Sequence, residues 1–243
     1  MDDFTRYWGE ATSLSHEKIR SRGGISPDET DAYKTYPGAR RLELPRPGSL
    51  EAGPFDLWRA LHERRSVRKF SPRALPLSAF ASLLWAAQGV TARMSKYHLR
   101  TAPSAGALYP YETYAFIRDV EGLEPCLGHL DVRAFGLEIV EDGDFSRHLA
   151  AAALGQKFVE KAPAVLAFTA VPDRAAWKYG DRASRYIGLD LGHAAQNACL
   201  AAVTLGLGAC PVGAFLDGEA NALLGLDGRA EYLFYLVPVG YPA

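Results

Sequence analysis

Residues 182–215 read RASRYIGLDLGHAAQNACLAAVTLGLGACPVGAF, and between Asp190 and Asp217 there is no Lys, Arg, Asp or Glu. A span across a bilayer needs about 20 predominantly apolar residues. His193, Gln196 and Asn197 interrupt this stretch, Gly and Pro break its second half, and Ala and Gly stand where lipid would favour Leu, Ile and Phe. The pattern predicts a long buried helix over the first two thirds, whose small side chains allow close approach. Gly206 and Gly208 suit the left-handed positions at a helix end. Pro211-Val212-Gly213 then makes a tight turn whose backbone is open to a ligand. An ordinary core helix with its connection fits the same letters, so both readings stand at this point.

Working outward, the 243 residues are 48% hydrophobic and 23% charged, which describes a soluble globular chain of one large domain or a domain with extended arms. The net charge of −1 offers no global attraction to nucleic acid or anionic lipid. Neither a nucleic-acid nor a membrane partner is expected, and any basic site must be local. Cys126, Cys199 and Cys210 are odd in number and lack CxxC spacing. They read as reduced, buried thiols rather than disulfides or metal ligands. The opening MDDFTRYWGE has no apolar core, so the expected location is cytoplasmic.

Residues 1–53 are rich in Pro, Gly and charge, yet Tyr7, Trp8, Tyr33 and Tyr36 are too many aromatics for disorder. This segment reads as an arm laid over the body or over a second subunit, with a short helix over 5–10. The body, 54–243, opens with a helix over 54–63, striped by Phe55, Leu57, Trp58 and Leu61, and a second helix over 77–88. Strands are expected over 114–118, around Asp131 and Ile139, over 164–171 and over 231–239. Helices are expected over 146–161 and 218–224. The strand over 164–171 is apolar throughout and therefore central. The fold class is α+β, a mainly antiparallel sheet with helices packed around it. No Rossmann fingerprint, P-loop, HExxH or GxSxG pattern occurs.

Three further stretches carry chemistry. In RRSVRKFSP an extended backbone puts Arg64, Ser66 and Arg68 on one face. Two guanidinium forks and a hydroxyl suit a phosphate, although a solvated basic turn has the same composition. The loop TAPSAGALYPYE over 101–112 is small enough to approach a flat ligand, with Tyr109 and Tyr111 as walls. Trp177-Lys178-Tyr179-Gly180-Asp181-Arg182 is a polar cluster before the long helix, and such clusters are commonly plain solvated loops.

RRSVR, PSAGALYPYE, WKYGDR, RYIGLDLGHAAQNACLAA and LGLGACPVGAF, in that order, resemble the FMN-dependent nitroreductase superfamily. More closely they resemble its SagB-type dehydrogenase branch, the azoline oxidases that convert thiazolines or oxazolines to thiazoles or oxazoles. The resemblance runs from about Pro54 to the C-terminus. It implies an intertwined homodimer with FMN at the subunit interface. It assigns the FMN phosphate and ribityl chain to Arg64, Ser66 and Arg68, with Arg65 assisting. Pro103, Ser104, Ala105 and Gly106 correspond to a loop that a second subunit brings against the flavin. Pro211, Val212 and Gly213 correspond to the turn whose N–H faces flavin N5. Lys178 and Tyr179 match the branch's Lys-Tyr pair and are the candidate acid and base. A Lys serves as a base when burial or a cationic neighbour depresses its pKa, and Arg182 and Arg185 are the candidates for that neighbour.

The chain departs from the branch in two places. Cys126-Leu127-Gly128-His129-Leu130 stands where Gly-x-Tyr-x-Tyr is common, and no basic tail follows Val239-Gly240-Tyr241-Pro242, leaving Arg64 and Arg68 more of the phosphate. The implied reaction is azoline oxidation on a small molecule or peptide, with a cyclodehydratase as partner. The alternatives are a stand-alone NAD(P)H-dependent nitro or quinone reductase, and a flavin-binding docking subunit without turnover.

Overall fold

The computed structural model describes residues 8, 11–13, 32–45, 57–94 and 97–243. Strand β1 (Arg40–Glu43) precedes helices α1 (Leu57–Glu63) and α2 (Leu77–Gln88). The hairpin β2 (Val90–Met94) and β3 (Tyr97–Arg100) leads to β4 (Tyr111–Ile117), β5 (Cys126–Asp131) and β6 (Gly136–Asp142). Short helices α3 (Ser146–Ala152) and α4 (Lys157–Lys161) follow, then β7 (Ala164–Ala170), α5 (Asp173–Tyr179) and the long α6 (Ala183–Thr204). Strand β8 (Gly208–Ala209), α7 (Asp217–Leu223) and β9 (Tyr232–Gly240) complete the order.

The main sheet has seven strands in the order β1-β6-β5-β4-β7-β9-β8, and every neighbouring pair is antiparallel. This is the expected α+β architecture. Strand β7 lies between β4 and β9 and is buried at every position. Because side chains alternate across a strand, β7 serves two cores. Leu166 and Phe168 face the cluster that includes Phe80, Leu84, Leu191 and Ala198, from α2 and α6. Val165 and Ala167 face Leu149, Val159 and Ala220, from α3, α4 and α7. Both faces are covered, hence the unbroken apolar run in the sequence.

Helix α6 packs on α2 through its small residues, with Ala194, Ala195, Ala198 and Ala202 buried. Its end is a Schellman turn. Gly206 has φ 68°, its N–H donates to the Val203 carbonyl at 3.0 Å, and the Leu207 N–H reaches back to Ala202 at 2.8 Å. Among the described residues no helix is long and apolar enough to cross a membrane. All three cysteines are free and buried.

Several elements differ from expectation. The helix expected over 146–161 is two, because Leu154 and Gly155 both turn left-handed, at φ 58° and 72°. The cluster at 177–182 is no loop, since Lys178 and Tyr179 end α5 and Gly180–Arg182 forms a 3-10 turn. Of the 54–63 helix, residues 57–63 are helical and 54–56 lie outside the described residues. Its stripe is not core: Leu57, Trp58 and Leu61 are 59%, 77% and 45% exposed, and Ala60 alone is buried. The helix expected over 5–10 lies outside the described residues except for Trp8.

The 32–45 part of the arm rests on its own chain. β1 adds to the sheet edge beside β6, and Leu44 is buried. Lys34 Nζ meets Glu231 at 2.6 Å, and the backbone N–H groups of Lys34 and Tyr36 donate to Glu112 and Glu138, each at 3.1 Å. Between those two carboxylates sits His129, fully buried, 3.1 Å from each. At this departure from the branch pattern, the rings of Tyr36 and Tyr114 pack against the imidazole.

Candidate functional site

The sequence-predicted residues gather at the two ends of α6. At its C-terminal end, Ser66 forms a parallel bridge with Ala209, and the Val67 N–H donates to the Ala209 carbonyl at 3.0 Å. This contact exists because position 208 is glycine: a Cβ there would stand 2.6 Å from the Val67 side chain. Val67 points inward while Ser66 and Arg68 stay exposed and Arg64 is half-buried. Arg68 lies over the Phe158 ring, 6.0 Å from its centroid. Arg64 is near enough to Cys199 to oppose the burial that pushes that thiol up to about 11. Arg65 behaves differently, because its guanidinium folds back onto the His62 and Arg64 carbonyls, both at 2.7 Å.

The backbone runs on from Ala209 to the turn. Val212 exchanges hydrogen bonds with Leu236 at 2.7 and 3.0 Å, which fixes Pro211-Val212-Gly213 beside β9. Gly213 is exposed, and a Cβ there would meet nothing nearer than Tyr235 at 3.7 Å. Two guanidiniums and a hydroxyl stand beside the start of the strand that leads to this open glycine backbone. That donor set fits a phosphate monoester carrying a flat ring: charged forks for the oxygens and an uncrowded main chain for the ring edge.

At the N-terminal end of α6 stand the 103–109 loop and the Lys-Tyr pair. Pro103 and Gly106 are exposed, while Ser104 and Ala105 are half-buried. A Cβ on Gly106 would lie 2.6 Å from the Tyr179 hydroxyl and 2.7 Å from Lys178 Nζ. Lys178 and Tyr179 thus converge on the bare backbone of this glycine, and Lys178 itself is exposed. Arg182 and Arg185 are drawn instead to the arm. Arg182 donates to the Thr12 carbonyl at 2.8 Å and Arg185 to the Thr12 hydroxyl at 2.6 Å.

Sequence reasoning did not foresee what holds this loop. Asp190, buried in α6, accepts from the Ser104 hydroxyl at 2.6 Å and faces the Ala105 N–H at 3.4 Å. Burial raises its pKa, against the pull of the Ser104 and Ala105 donors. On α5, Arg174 sits one turn before Lys178, pairs with Glu112 and reaches the Tyr109 and Tyr111 carbonyls at 3.5 and 3.4 Å. Burial opposes ionisation of Glu112, but Arg174 and His129 outweigh it and hold the carboxyl at about 2. One signal was available for Asp190: the one acid of a long, Ala-rich helix needs a partner when that helix is buried.

The two ends are well separated. From Asp190 to Thr204, at 1.5 Å per residue, α6 carries them about 20 Å apart. A chain's own Lys178 is therefore distant from its own Ser66, which bridges Ala209 beyond the helix end, whereas Gly213 lies farther back along β9, beside Tyr235. Among the described residues no cluster of His, Cys, Asp or Glu could hold a metal.

Residues 61–241 match the model of the nitroreductase family. A relative from Methanocaldococcus jannaschii that carries the nitroreductase name is 41% identical over 180 residues, covering 74% of this chain and 88% of the relative. A nitroreductase-family structure from Anabaena variabilis superposes with TM-score 0.73 at 28% identity over 93% of this chain, which spans about half, 47%, of that protein's length. The Escherichia coli microcin synthetase McbBCD complex with truncated pro-MccB17 contains a chain of like fold, with TM-score 0.64 at 20% identity, covering 99% of this chain and 92% of that one.

Proposed function

The chain belongs to the nitroreductase family, and from that premise we propose that it is a SagB-type dehydrogenase, oxidising an azoline ring in a peptide or small molecule. It is an FMN-dependent oxidoreductase; when bound, FMN supplies the hydride acceptor at N5. Arg64, Ser66 and Arg68 grip the phosphate and ribityl chain. The turn at Pro211, Val212 and Gly213 would hold the ring, and its backbone N–H would favour the charge that develops on the reduced flavin. Arg65, tied to its own turn, adds charge rather than a direct bond. Lys178 and Tyr179 would take the proton from the ring carbon. The substrate loses one proton and one hydride and becomes aromatic.

The observation that carries this reading is the convergence of Lys178 Nζ and the Tyr179 hydroxyl on Gly106. Neither group is committed to an ion pair with a carboxylate among the described residues. Both are presented beside the loop that the resemblance sets against a flavin. The length of α6 supports the homodimer: Pro103, Ser104, Ala105 and Gly106 of one subunit complete the flavin site of the other. The McbBCD likeness supports a cyclodehydratase partner, and the buried free thiols support a cytoplasmic location.

A second reading, NAD(P)H-dependent nitro or quinone reduction, is favoured by the name of the 41% identical relative. One experiment separates the two. FMN-loaded protein is mixed anaerobically with a thiazoline-containing peptide or with NADPH, and the visible band of the oxidised flavin is followed. Bleaching by the thiazoline, with loss of two hydrogens from the peptide, is the expected result. Bleaching by NADPH alone would replace it with the second reading, and bleaching by neither would leave a docking subunit.

A further inference from the structure

The loop that faces Lys178 is built from backbone that resists its own shape. Gly106, Ala107 and Tyr109 have φ of 64°, 54° and 45°. Two of these three carry a Cβ, for which the left-handed region is disfavoured. Such a segment keeps its form only when the surroundings over-determine it.

Asp190 supplies much of that determination. Its Oδ2 accepts the Ser104 hydroxyl at 2.6 Å, and the same Ser104 oxygen accepts the Tyr109 N–H at 2.8 Å. Its Oδ1 faces the Ala105 N–H at 3.4 Å. One carboxylate thus fastens the segment on both sides of Gly106, at 104 and 105 and, through Ser104, at 109. From beyond the loop, the Arg100 N–H donates to the Tyr109 hydroxyl at 2.9 Å, and the Arg100 guanidinium lies 4.2 Å from the Tyr109 ring centroid. Gly106 stands at the crest, where Lys178 and Tyr179 close on it.

A buried carboxylate whose close donors are a hydroxyl and an amide is a costly way to pack a helix. Asp190 is 3% exposed, and no cation pairs with it within 4 Å among the described residues. An apolar residue at this position could not direct Ser104.

We propose that Asp190 is a positioning residue for the Lys178–Tyr179 pair, acting through Ser104 to hold Gly106 where both side chains meet it. This rests on the reading of Lys178 and Tyr179 as the proton-handling groups. It adds a residue of the long helix that touches neither substrate nor cofactor.

The test compares Asp190→Ala, Asp190→Asn, Ser104→Ala and the Asp190→Ala/Ser104→Ala double variant, with Lys178→Ala alongside, all as FMN-loaded full chains. The assay is flavin bleaching by whichever of the two donors, thiazoline peptide or NADPH, reduces the unmodified protein. Asp190→Ala is expected to lower the maximal rate at least about tenfold, with KM unchanged and any loss of FMN affinity several-fold smaller than the loss of rate. Asp190→Asn keeps an acceptor for the Ser104 hydroxyl and restores most of that rate. The double variant is no slower than the slower single one, because both act through the same bond. Without any donor, amide hydrogen exchange at Tyr109 rises at least about tenfold in Asp190→Ala and in Ser104→Ala.

A rate within twofold of the unmodified protein in Ser104→Ala or Asp190→Ala, while Lys178→Ala is slow, overturns the positioning role and leaves the Lys178 reading intact. Equal losses of rate and FMN affinity also overturn it, since they mark a structural residue only. Should Asp190→Ala fail to fold, Ser104→Ala and Asp190→Asn decide the matter. Full speed in Lys178→Ala removes the parent reading and this one with it.

Discussion

The two ends of helix α6 are organised in opposite ways. At the C-terminal end, the segment at 64–68 is tied to β8 through Ser66 and Ala209, and the chain runs on from there to the turn at 211–213, held on β9 through Val212 and Leu236. Their polar side chains are left facing outward. At the N-terminal end, the loop at 103–109 is fastened from beneath by buried Asp190 and Arg174, and only Pro103 and Gly106 of it are exposed. The first, on the proposed function, is where the cofactor's phosphate is held. The second is a strained surface whose shape is settled before anything binds. Binding a cofactor rewards spare charge, whereas handling a proton rewards fixed geometry.

Substitutions at each end should therefore fail in different currencies, affinity at one and rate at the other. The largest expected effect is on cofactor binding in Arg64→Ala/Arg68→Ala. Two hydrogen bonds to a charged group, each contributing about 1.5–3 kcal/mol, correspond to roughly a 100-fold or greater rise in the FMN dissociation constant. Absorbance titration reads it. Next is Lys178→Ala, for which loss of general acid–base catalysis lowers flavin reduction about 100-fold or more, with FMN affinity within twofold. A large affinity loss in that variant would dissolve the distinction between the two ends.

Glycine substitutions sharpen the comparison at smaller scale. Gly208→Ala forces a Cβ against Val67 and should destabilise the fold by about 1–3 kcal/mol while weakening FMN binding, because it pries Ser66 from Ala209. Gly106→Ala slows reduction by a larger factor than it weakens FMN binding, because its Cβ occupies the place of Lys178 Nζ and the Tyr179 hydroxyl. Smallest of all is Arg65→Ala, with an FMN affinity change within about threefold, since that guanidinium is already spent on its own turn.

The N-terminal end also carries a pH signature. Glu112, which anchors Arg174, is held at about 2 against a usual 4.5. Its folded-state pKa is depressed, so its contribution to stability is complete above about 4.5 and is lost as pH falls from there through about 2. Denaturant midpoints across that window should fall more steeply for the unmodified protein than for Glu112→Gln.

Much of the fold was legible because it depends on local pattern. The uncharged run of α6, the left-handed stop at Gly206 and the unbroken apolar letters of β7 each follow from chain geometry and from which faces are covered. The split between α3 and α4 was hidden, since Leu154 in a left-handed turn contradicts its own preference and only its surroundings impose it. The stripe of α1 misled, for Leu57, Trp58 and Leu61 have the right spacing yet remain exposed in the single chain. At the site, residue types and order pointed to Arg64, Ser66, Arg68, Lys178 and Tyr179. The supporting residues did not announce themselves: Asp190, Arg174 and His129 acquire partners only when distant strands and helices meet. A buried charge leaves little trace in sequence until its partner is in place.

The claim that one subunit holds the phosphate while the other presents Lys178 is tested most directly by mixing subunits. Arg64→Ala/Arg68→Ala chains and Lys178→Ala chains, each inactive in flavin reduction at limiting FMN, are unfolded together and refolded. If the two ends of α6 serve one site from different subunits, each mixed dimer contains one site with both lesions and one with none. Reduction then returns in the mixture. If both ends of one chain serve the same site, every site keeps a lesion, and the mixture staying as inactive as its parents would contradict the account.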